Sequence, residues 1–170
     1  MKIHDAEGWW ERTKIAPIAL LLVVALCLGC GPIGPFSGGR LSGEDEAWLA
    51  DWSGVSDVTQ IQLETNPDDP HSVNVWLVIV DREAYLATSL LIGTEVPEER
   101  EWVRNVTADS RVRLRIEGKL YSVRLETVAE DSVKARVFEA FQIKYPEIEA
   151  SRGEAARFFR IVERGNRSTS

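Results

Sequence analysis

The sequence predicts a mainly β protein with covering helices, an α+β fold in the form of a small closed or half-open barrel. Three observations support this prediction. Several short segments alternate apolar and polar residues, as half-buried strands do. Turn-forming residues separate these segments at short intervals, as in consecutive hairpins. Stretches with helical spacing lie between them and are suited to cover a small barrel.

The first half of the domain supplies one helix and three strands. Residues 43–53 (GEDEAWLADWS) place Trp48, Leu49 and Trp52 on one side of a short predicted helix with acids in its first turn. Predicted strands follow at residues 58–65, 73–80 and 83–88. Because residues 73–80 (VNVWLVIV) are nearly all apolar, they predict a central strand covered on both faces.

The clearest hairpin signal is Glu117-Gly118, which joins the alternating residues 111–116 to residues 119–127. Pairing around this turn gives two facing apolar pairs, Leu114 with Tyr121 and Val112 with Val123. The other face of the hairpin carries a row of arginines, Arg111, Arg113, Arg115 and Arg124. This row could receive an anionic ligand, be solvated, or pair with acids of a neighbouring element.

The remaining elements of the second half are two helices and a closing strand. Pro97 is suited to open a helix whose first turn holds Glu98 and Glu99. Asp131 is expected to cap a longer helix, which Pro146 ends. Residues 156–163 (ARFFRIVE) predict the strand that completes the barrel.

Composition excludes several classes of protein. The net charge of −7 argues against nucleic-acid binding, which needs a surplus of Lys and Arg. The only cysteines, Cys27 and Cys30, lie in an apolar N-terminal segment, so the domain has neither a thiol nucleophile nor an internal disulfide. The two histidines are too few for a multi-histidine zinc site. We therefore expect no nucleic-acid partner and no metal.

The chain divides into four predicted parts: a signal or anchor segment at 1–30, a flexible Gly- and Pro-rich tether at 31–43, a barrel domain at 44–163 and a polar tail at 164–170. The apolar core of the first part, residues 15–30, would rise about 24 Å as a helix, short of the roughly 30 Å hydrocarbon layer. Arg12 and Lys14 precede it and small residues end it, as in a secretory signal.

The ending Leu28-Gly29-Cys30-Gly31 resembles a bacterial lipobox, which implies lipidation at Cys30. An uncleaved N-terminal membrane anchor is the alternative. In both cases membrane lipid is a partner. The expected location is membrane-anchored, with the domain facing the periplasm or cell exterior as a lipoprotein; an anchored domain on the cytoplasmic side is the other possibility.

Five stretches carry a resemblance to a known family: Val75-Trp76, YLAT at 85–88, WVRN at 102–105, RVRL at 111–114, and the run from Phe141 to Tyr145-Pro146. Together they resemble the FMN-binding split β-barrel superfamily (pyridoxamine-phosphate-oxidase-like), nearest its deazaflavin-dependent nitroreductase-like branch. The resemblance covers residues 58–163. It implies a small split β-barrel of about six strands with two to three helices.

The resemblance also implies a homodimer that binds FMN or a deazaflavin across the subunit boundary. The cofactor-binding residues it implies are Tyr85, Thr88, Ser89, Arg100, Trp102, Arg104 and Asn105. Tyr85, Thr88 and Ser89 would offer neutral hydrogen bonds. Arg100 and Arg104 would meet the phosphate or pair with acids, and Trp102 would stack on the ring or pack in the core.

The chain departs from the family where a phosphate is usually held. Residues 64–70 (ETNPDDP) contain three acids, and residues 89–99 contain no Lys or Arg. Phosphates favour Arg, Lys and helix N-termini, yet Glu98 and Glu99 stand at the predicted helix start. The ligand therefore lacks a phosphate, or Arg100, Arg104 and the arginine row replace the usual contacts, or no cofactor binds.

Two functions follow from the sequence. The first is a membrane-tethered split-barrel protein that binds a flavin or deazaflavin for redox chemistry, as a flavin- or deazaflavin-dependent oxidoreductase. The alternative is a non-catalytic lipoprotein that uses a degenerate split barrel as a ligand-binding or dimerisation module.

Overall fold

The computed structural model describes residues 31–88, 100–148 and 156–165. The strands are β1 (Glu44–Glu46), β2 (Gln60–Thr65), β3 (His71–Val80), β4 (Glu83–Thr88), β5 (Arg111–Ile116), β6 (Lys119–Thr127) and β7 (Arg157–Glu163). The helices are α1 (Glu101–Ala108) and α2 (Asp131–Lys144), and a short 3-10 turn covers Ser53–Val55.

The described strands form one sheet in the order β1-β6-β5-β2-β3-β4-β7, and β6 also pairs with β7. That second pairing closes β2 to β7 into a six-stranded antiparallel barrel. β1 is an addition at the edge, parallel to β6. The predicted mainly β, α+β fold, a small split β-barrel of about six strands with covering helices, is confirmed.

Both tight hairpins follow from their turn residues. In the β5–β6 hairpin, Glu117 and Gly118 have φ of 50° and 85°, the left-handed backbone that a two-residue turn requires. The register places Leu114 opposite Tyr121 and Val112 opposite Val123, as predicted. The β3–β4 turn uses the same backbone at Asp81 and Arg82, with φ of 51° and 72°.

β3 lies between two apolar cores. Leu77 faces the barrel interior, where it packs with Leu63, Leu86 and Val103. Val78 faces the opposite side, where α2 covers the sheet with Val137 and Phe141. The prediction that residues 73–80 form a strand covered on both faces is therefore confirmed.

The helix predicted at residues 43–53 is wrong. Residues 44–46 instead form β1, and the Glu44 amide donates to the Gly118 carbonyl at 3.2 Å. Trp48 meets Trp52 edge-on at 5.6 Å between ring centroids, and both pack against the barrel core. Pairing with the free edge of β6 thus outweighs the local helical spacing, which was a weak preference for so short a segment.

The first described helix starts later than Pro97. Arg100 has extended backbone, with φ −71° and ψ 128°, and α1 begins at Glu101. Pro97, Glu98 and Glu99 lie outside the described residues. The second helix begins at Asp131 as expected, although Glu130 occupies the N-cap position and makes no side-chain capping bond.

Part of the predicted tether packs on the barrel. Leu41 is buried, and Gly38 exchanges backbone hydrogen bonds with Ser72, both 2.8 Å. Gln62 donates to the Pro32 carbonyl at 3.2 Å. We call residues 31–43 the N-terminal strap. None of the helices in the described residues is long and apolar enough to cross a membrane.

Candidate functional site

α1 lies against β2 and β3 with one apolar and one polar side. Trp102, Val103 and Val106 are buried in the barrel core. The Trp102 ring packs at a tilt against Phe159, with 5.3 Å between centroids. This places Trp102 as a core residue of the described structure and leaves its ring only 5% exposed.

The polar side of α1 joins the ends of β2 and β3 through a chain of hydrogen bonds. Asn105 donates from Nδ2 to Oγ1 of Thr65 at 3.0 Å. The Thr65 hydroxyl in turn donates to the His71 carbonyl at 3.2 Å. The His71 ring lies 3.4 Å from a Glu101 oxygen on the first turn of the helix. We call Thr65, His71, Glu101 and Asn105 the α1 polar cluster.

Two arginines flank this cluster. Arg100 directly precedes α1, and burial lowers the pKa of its guanidinium. Arg104 follows one helical turn later and is exposed. Spacing four apart in sequence puts the two on one side of the chain at the helix start. Both are cations beside a set of neutral hydrogen-bonding groups.

The structure separates the predicted residues of β4 from one another. Thr88 is 4% exposed and pairs in register with Arg157 of β7. Tyr85 faces the other side of the strand, in the core beneath α2, because side chains alternate along a strand. Its hydroxyl donates to Glu83 at 2.6 Å, and burial raises its pKa to about 12.

The predicted set is therefore only partly assembled. Arg100, Arg104 and Asn105 lie together on α1, whereas Tyr85 lies on the far side of the sheet. Ser89 and Cys30 lie outside the described residues. Sequence reasoning missed Thr65 as a site residue, and it treated His71 as an exposed turn residue. A Thr at the end of one predicted strand and a His at the start of the next were the available signals.

The arginine row of β5 is largely used by the fold. Arg113 contacts Glu64 at 3.4 Å and donates to the Leu41 carbonyl at 3.0 Å. Arg115 bonds to Gln62 and to the Ser42 carbonyl. Pairing with a neighbouring element is thus the observed use of these two, although that element is β2 and the N-terminal strap. Across the described ranges, His, Cys, Asp and Glu form no group of three suited to a metal.

The α1 polar cluster is suited to a flat heterocycle with a charged tail. Thr65, His71 and Asn105 present neutral donors and acceptors, such as the carbonyl and N–H edge of a flavin ring would meet. Arg100 and Arg104 supply the positive charge that a phosphate requires. Glu101 opposes an anion at the helix start, but its carboxylate is turned toward His71.

Comparisons with solved structures show the same fold. Rv2991, a conserved hypothetical protein from Mycobacterium tuberculosis, is 19% identical with a TM-score of 0.52, covering 75% of this chain and 86% of that one. An F420-H2 dependent reductase, FDR-A, is 13% identical with a TM-score of 0.49, covering 72% and 99%. An FAD-binding protein from Mesorhizobium loti is 16% identical with a TM-score of 0.45, covering 65% and 83%.

Sequence comparison places the chain in a family. No curated protein matches it. One family does match, over residues 52–162, which span most of the barrel from Trp52 to the end of β7. Because that match covers well over half of the chain, the protein belongs to the family described as an uncharacterized protein conserved in bacteria, DUF2255.

Proposed function

We propose that this protein is a membrane-tethered split-barrel protein that binds a flavin or deazaflavin at the α1 polar cluster and serves redox chemistry. The observation that carries the proposal is the hydrogen-bonded path from Asn105 through Thr65 to His71, flanked by Arg100 and Arg104. The split-barrel fold and the sequence resemblance to flavin- and deazaflavin-binding families support it.

In this proposal the chain supplies binding and orientation. A bound flavin or deazaflavin would supply hydride transfer. Asn105 and Thr65 fix the ring edge with neutral hydrogen bonds, and their mutual bond holds both side chains in one orientation before a ligand arrives. Arg100 and Arg104 attract the phosphate end. The barrel core behind Trp102 and Val103 keeps α1 in place.

The second candidate is a non-catalytic lipoprotein that uses the barrel as a ligand-binding or dimerisation module. One observation favours it: the groups of the α1 polar cluster satisfy one another, and Glu101 occupies the first turn where an anion would otherwise bind. Asp68 and Asp69, in the adjoining loop, add negative charge. A homodimer is part of both candidates, and sedimentation of the solubilised chain measures it.

Cofactor titration separates the two candidates. The full chain, purified in a nonionic detergent, is examined for visible absorption and then titrated with FMN and with a deazaflavin by fluorescence. The redox proposal expects binding that Asn105→Ala or Thr65→Val weakens about tenfold, the value of one good hydrogen bond to each. Asn74→Ala and Thr107→Val are matched controls, because both residues bond only to backbone carbonyls.

Two results distinguish the outcomes. A colourless protein that binds neither compound at tens of micromolar would exclude the redox proposal and leave the non-catalytic module. Binding that Asn74→Ala reduces as strongly as Asn105→Ala would place the ligand away from the α1 polar cluster.

The membrane tether is a proposal about residues ahead of the barrel. Ile33 and Phe36 are 70% and 75% exposed, and they close a small turn just after Cys30 through mutual backbone bonds of 3.2 and 3.1 Å. Exposed apolar side chains next to an apolar segment suit contact with lipid. Metabolic fatty-acid labelling tests lipidation: Cys30→Ser should abolish it and Cys27→Ser should not. Unchanged labelling of the Cys30 variant would exclude that site.

A further inference from the structure

Strand register brings two arginines face to face. Arg111 of β5 is the direct partner of Arg124 of β6, and both point to the outside of the barrel. Like charges directly opposite each other destabilise a sheet unless a counter-charge is near. Asp109 supplies one for Arg111, because its carboxylate forks onto that guanidinium.

Arg124 has no such partner. Its Nε donates to the Ser110 hydroxyl at 3.1 Å, and no carboxylate in residues 31–88, 100–148 or 156–165 lies within ion-pair distance. Arg164, directly after β7, likewise forms no ion pair with a described residue; its charge acts on Asp109 only at longer range. Elsewhere the ion pairs are close, as in Arg82 with Asp51 at 2.7 Å and Arg160 with Glu126 at 3.1 Å.

Arg111, Arg124 and Arg164 line one groove of about 1010 Å³ on the outer face of β5, β6 and β7. Its remaining walls are Trp48, Ser110, Ser122, Glu163 and Gly165. Two hydroxyls and an indole thus accompany three guanidinium groups, and Glu163 is the one carboxylate among these lining residues. In a chain of net charge −7, this is a local concentration of positive charge.

From this arrangement we infer that the groove binds a phosphate ester. Guanidinium forks match phosphate oxygens in shape and charge, and serine hydroxyls complete such sites as neutral donors. The anion supplies the counter-charge that Arg124 and Arg164 do not receive from the described residues. Trp48 offers an apolar edge to whatever the phosphate carries. The site stands apart from the α1 polar cluster and does not depend on a bound flavin.

Phosphate esters reach a membrane-tethered domain from two sources, soluble metabolites and lipid headgroups. The shared chemistry is the phosphate, so inorganic pyrophosphate is the first probe. The full chain in nonionic detergent is titrated with pyrophosphate by calorimetry at low salt. We expect Arg124→Gln and Arg164→Gln each to weaken binding about tenfold, and rising salt to weaken it further.

The matched control is Arg82→Gln together with Arg136→Gln. This pair removes the same charge from exposed arginines that bond to Asp51 and Asp81 outside the groove. It should change pyrophosphate affinity less than about twofold, because remote exposed charges are screened. Circular dichroism of each variant checks that the barrel is retained.

Displacement then identifies the source. Adenosine monophosphate and a short-chain, monomeric phosphatidylglycerol are each competed against pyrophosphate. Displacement by the nucleotide supports a soluble ligand, and displacement by the lipid alone supports a headgroup. Absence of pyrophosphate binding to the wild-type chain, or equal losses in the groove variants and the control pair, would overturn the inference.

Discussion

Glu64 and Arg113 stand opposite each other on β2 and β5 and together hold the backbone of Leu41. The Leu41 amide donates to Glu64, and Arg113 donates to the Leu41 carbonyl at 3.0 Å. The Glu64 side chain is 3% exposed and that of Arg113 22%. One buried ion pair therefore fastens the N-terminal strap to the barrel.

Replacing the carboxylate should release the strap. Glu64→Gln leaves Arg113 partly buried without its counter-charge, and we expect a loss of about 3 kcal/mol in the free energy of unfolding. Trypsin should also cleave faster after Arg40, which precedes the fastened residue. Denaturant unfolding and timed proteolysis measure the two effects. Glu126→Gln, in an exposed pair with Arg160, should change stability by less than about 1 kcal/mol.

Gly43 fits where a side chain does not. A methyl group there would collide with the Gly118 carbonyl, a backbone atom that cannot turn aside. We expect Gly43→Ala to cost about 1–3 kcal/mol and to separate β1 from β6. Gly54→Ala is the matched control, because nothing lies within 4 Å of its added carbon. Equal unfolding midpoints for the two variants would refute this close approach.

The Tyr145 hydroxyl ties α2 to the sheet. It contacts the carbonyl oxygens of Thr59 and Leu77, the latter at 2.9 Å, and accepts the Leu77 amide at 3.3 Å. Tyr145→Phe keeps the ring stacked on Trp76 but removes these bonds, so we expect a loss of about 1–2 kcal/mol. Tyr121→Phe should change unfolding by less than about 0.5 kcal/mol, since no hydroxyl bond of Tyr121 to a described residue is present.

The tyrosines should titrate late. Burial raises the pKa of Tyr85 and of Tyr145 to about 12, and it also raises that of Tyr121. Because the folded pKa values exceed the unfolded value of 10.0, this stability is fully present below pH 10 and is lost as the pH rises toward 12. Phenolate absorbance of the native and urea-unfolded chain measures it. A native chain that titrates with the unfolded curve would contradict the burial of these three side chains.

Acid should weaken the start of β5. Hydrogen bonding from Arg111 lowers the pKa of Asp109 to about 2, from an ordinary value of 3.8. Because the folded pKa is the lower one, the stabilisation is present above about pH 4 and is lost as the pH falls through about 2. Both side chains are about one-third exposed, so the effect should stay below about 1 kcal/mol. Asp109→Asn should flatten the acid limb of the stability profile, whereas Asp131→Asn, at a 96% exposed side chain, should not.

Local patterns were sufficient for the strands. The alternation of residues 111–116 and 119–127 and the turn at Glu117-Gly118 predicted the β5–β6 register down to individual pairs. Period-two patterns are decisive there because a one-residue slip would turn every apolar side chain to the wrong face. The apolar run at 73–80 similarly predicted a strand with a core on each side.

The candidate site was less predictable. Asn105 and Thr65 are forty residues apart, and only the docking of α1 on the barrel brings them within 3.0 Å. Tyr85 and Thr88 are three apart in one strand, and β alternation places them on opposite faces. The sequence therefore supplied the residue types of the α1 polar cluster, and the packing of the helix selected which of them meet.

By itself, the sequence determined the acidic charge, the apolar N-terminal segment, the hairpins and the mainly β fold, because each depends on residues close together in the chain. The tertiary structure alone decided that residues 44–46 pair as β1, that the strap is fastened by Glu64 and Arg113, and that Arg111, Arg124 and Arg164 share one groove. These depend on barrel closure, which joins β6 to β7 and brings distant segments into contact at an entropic cost that only long-range packing offsets.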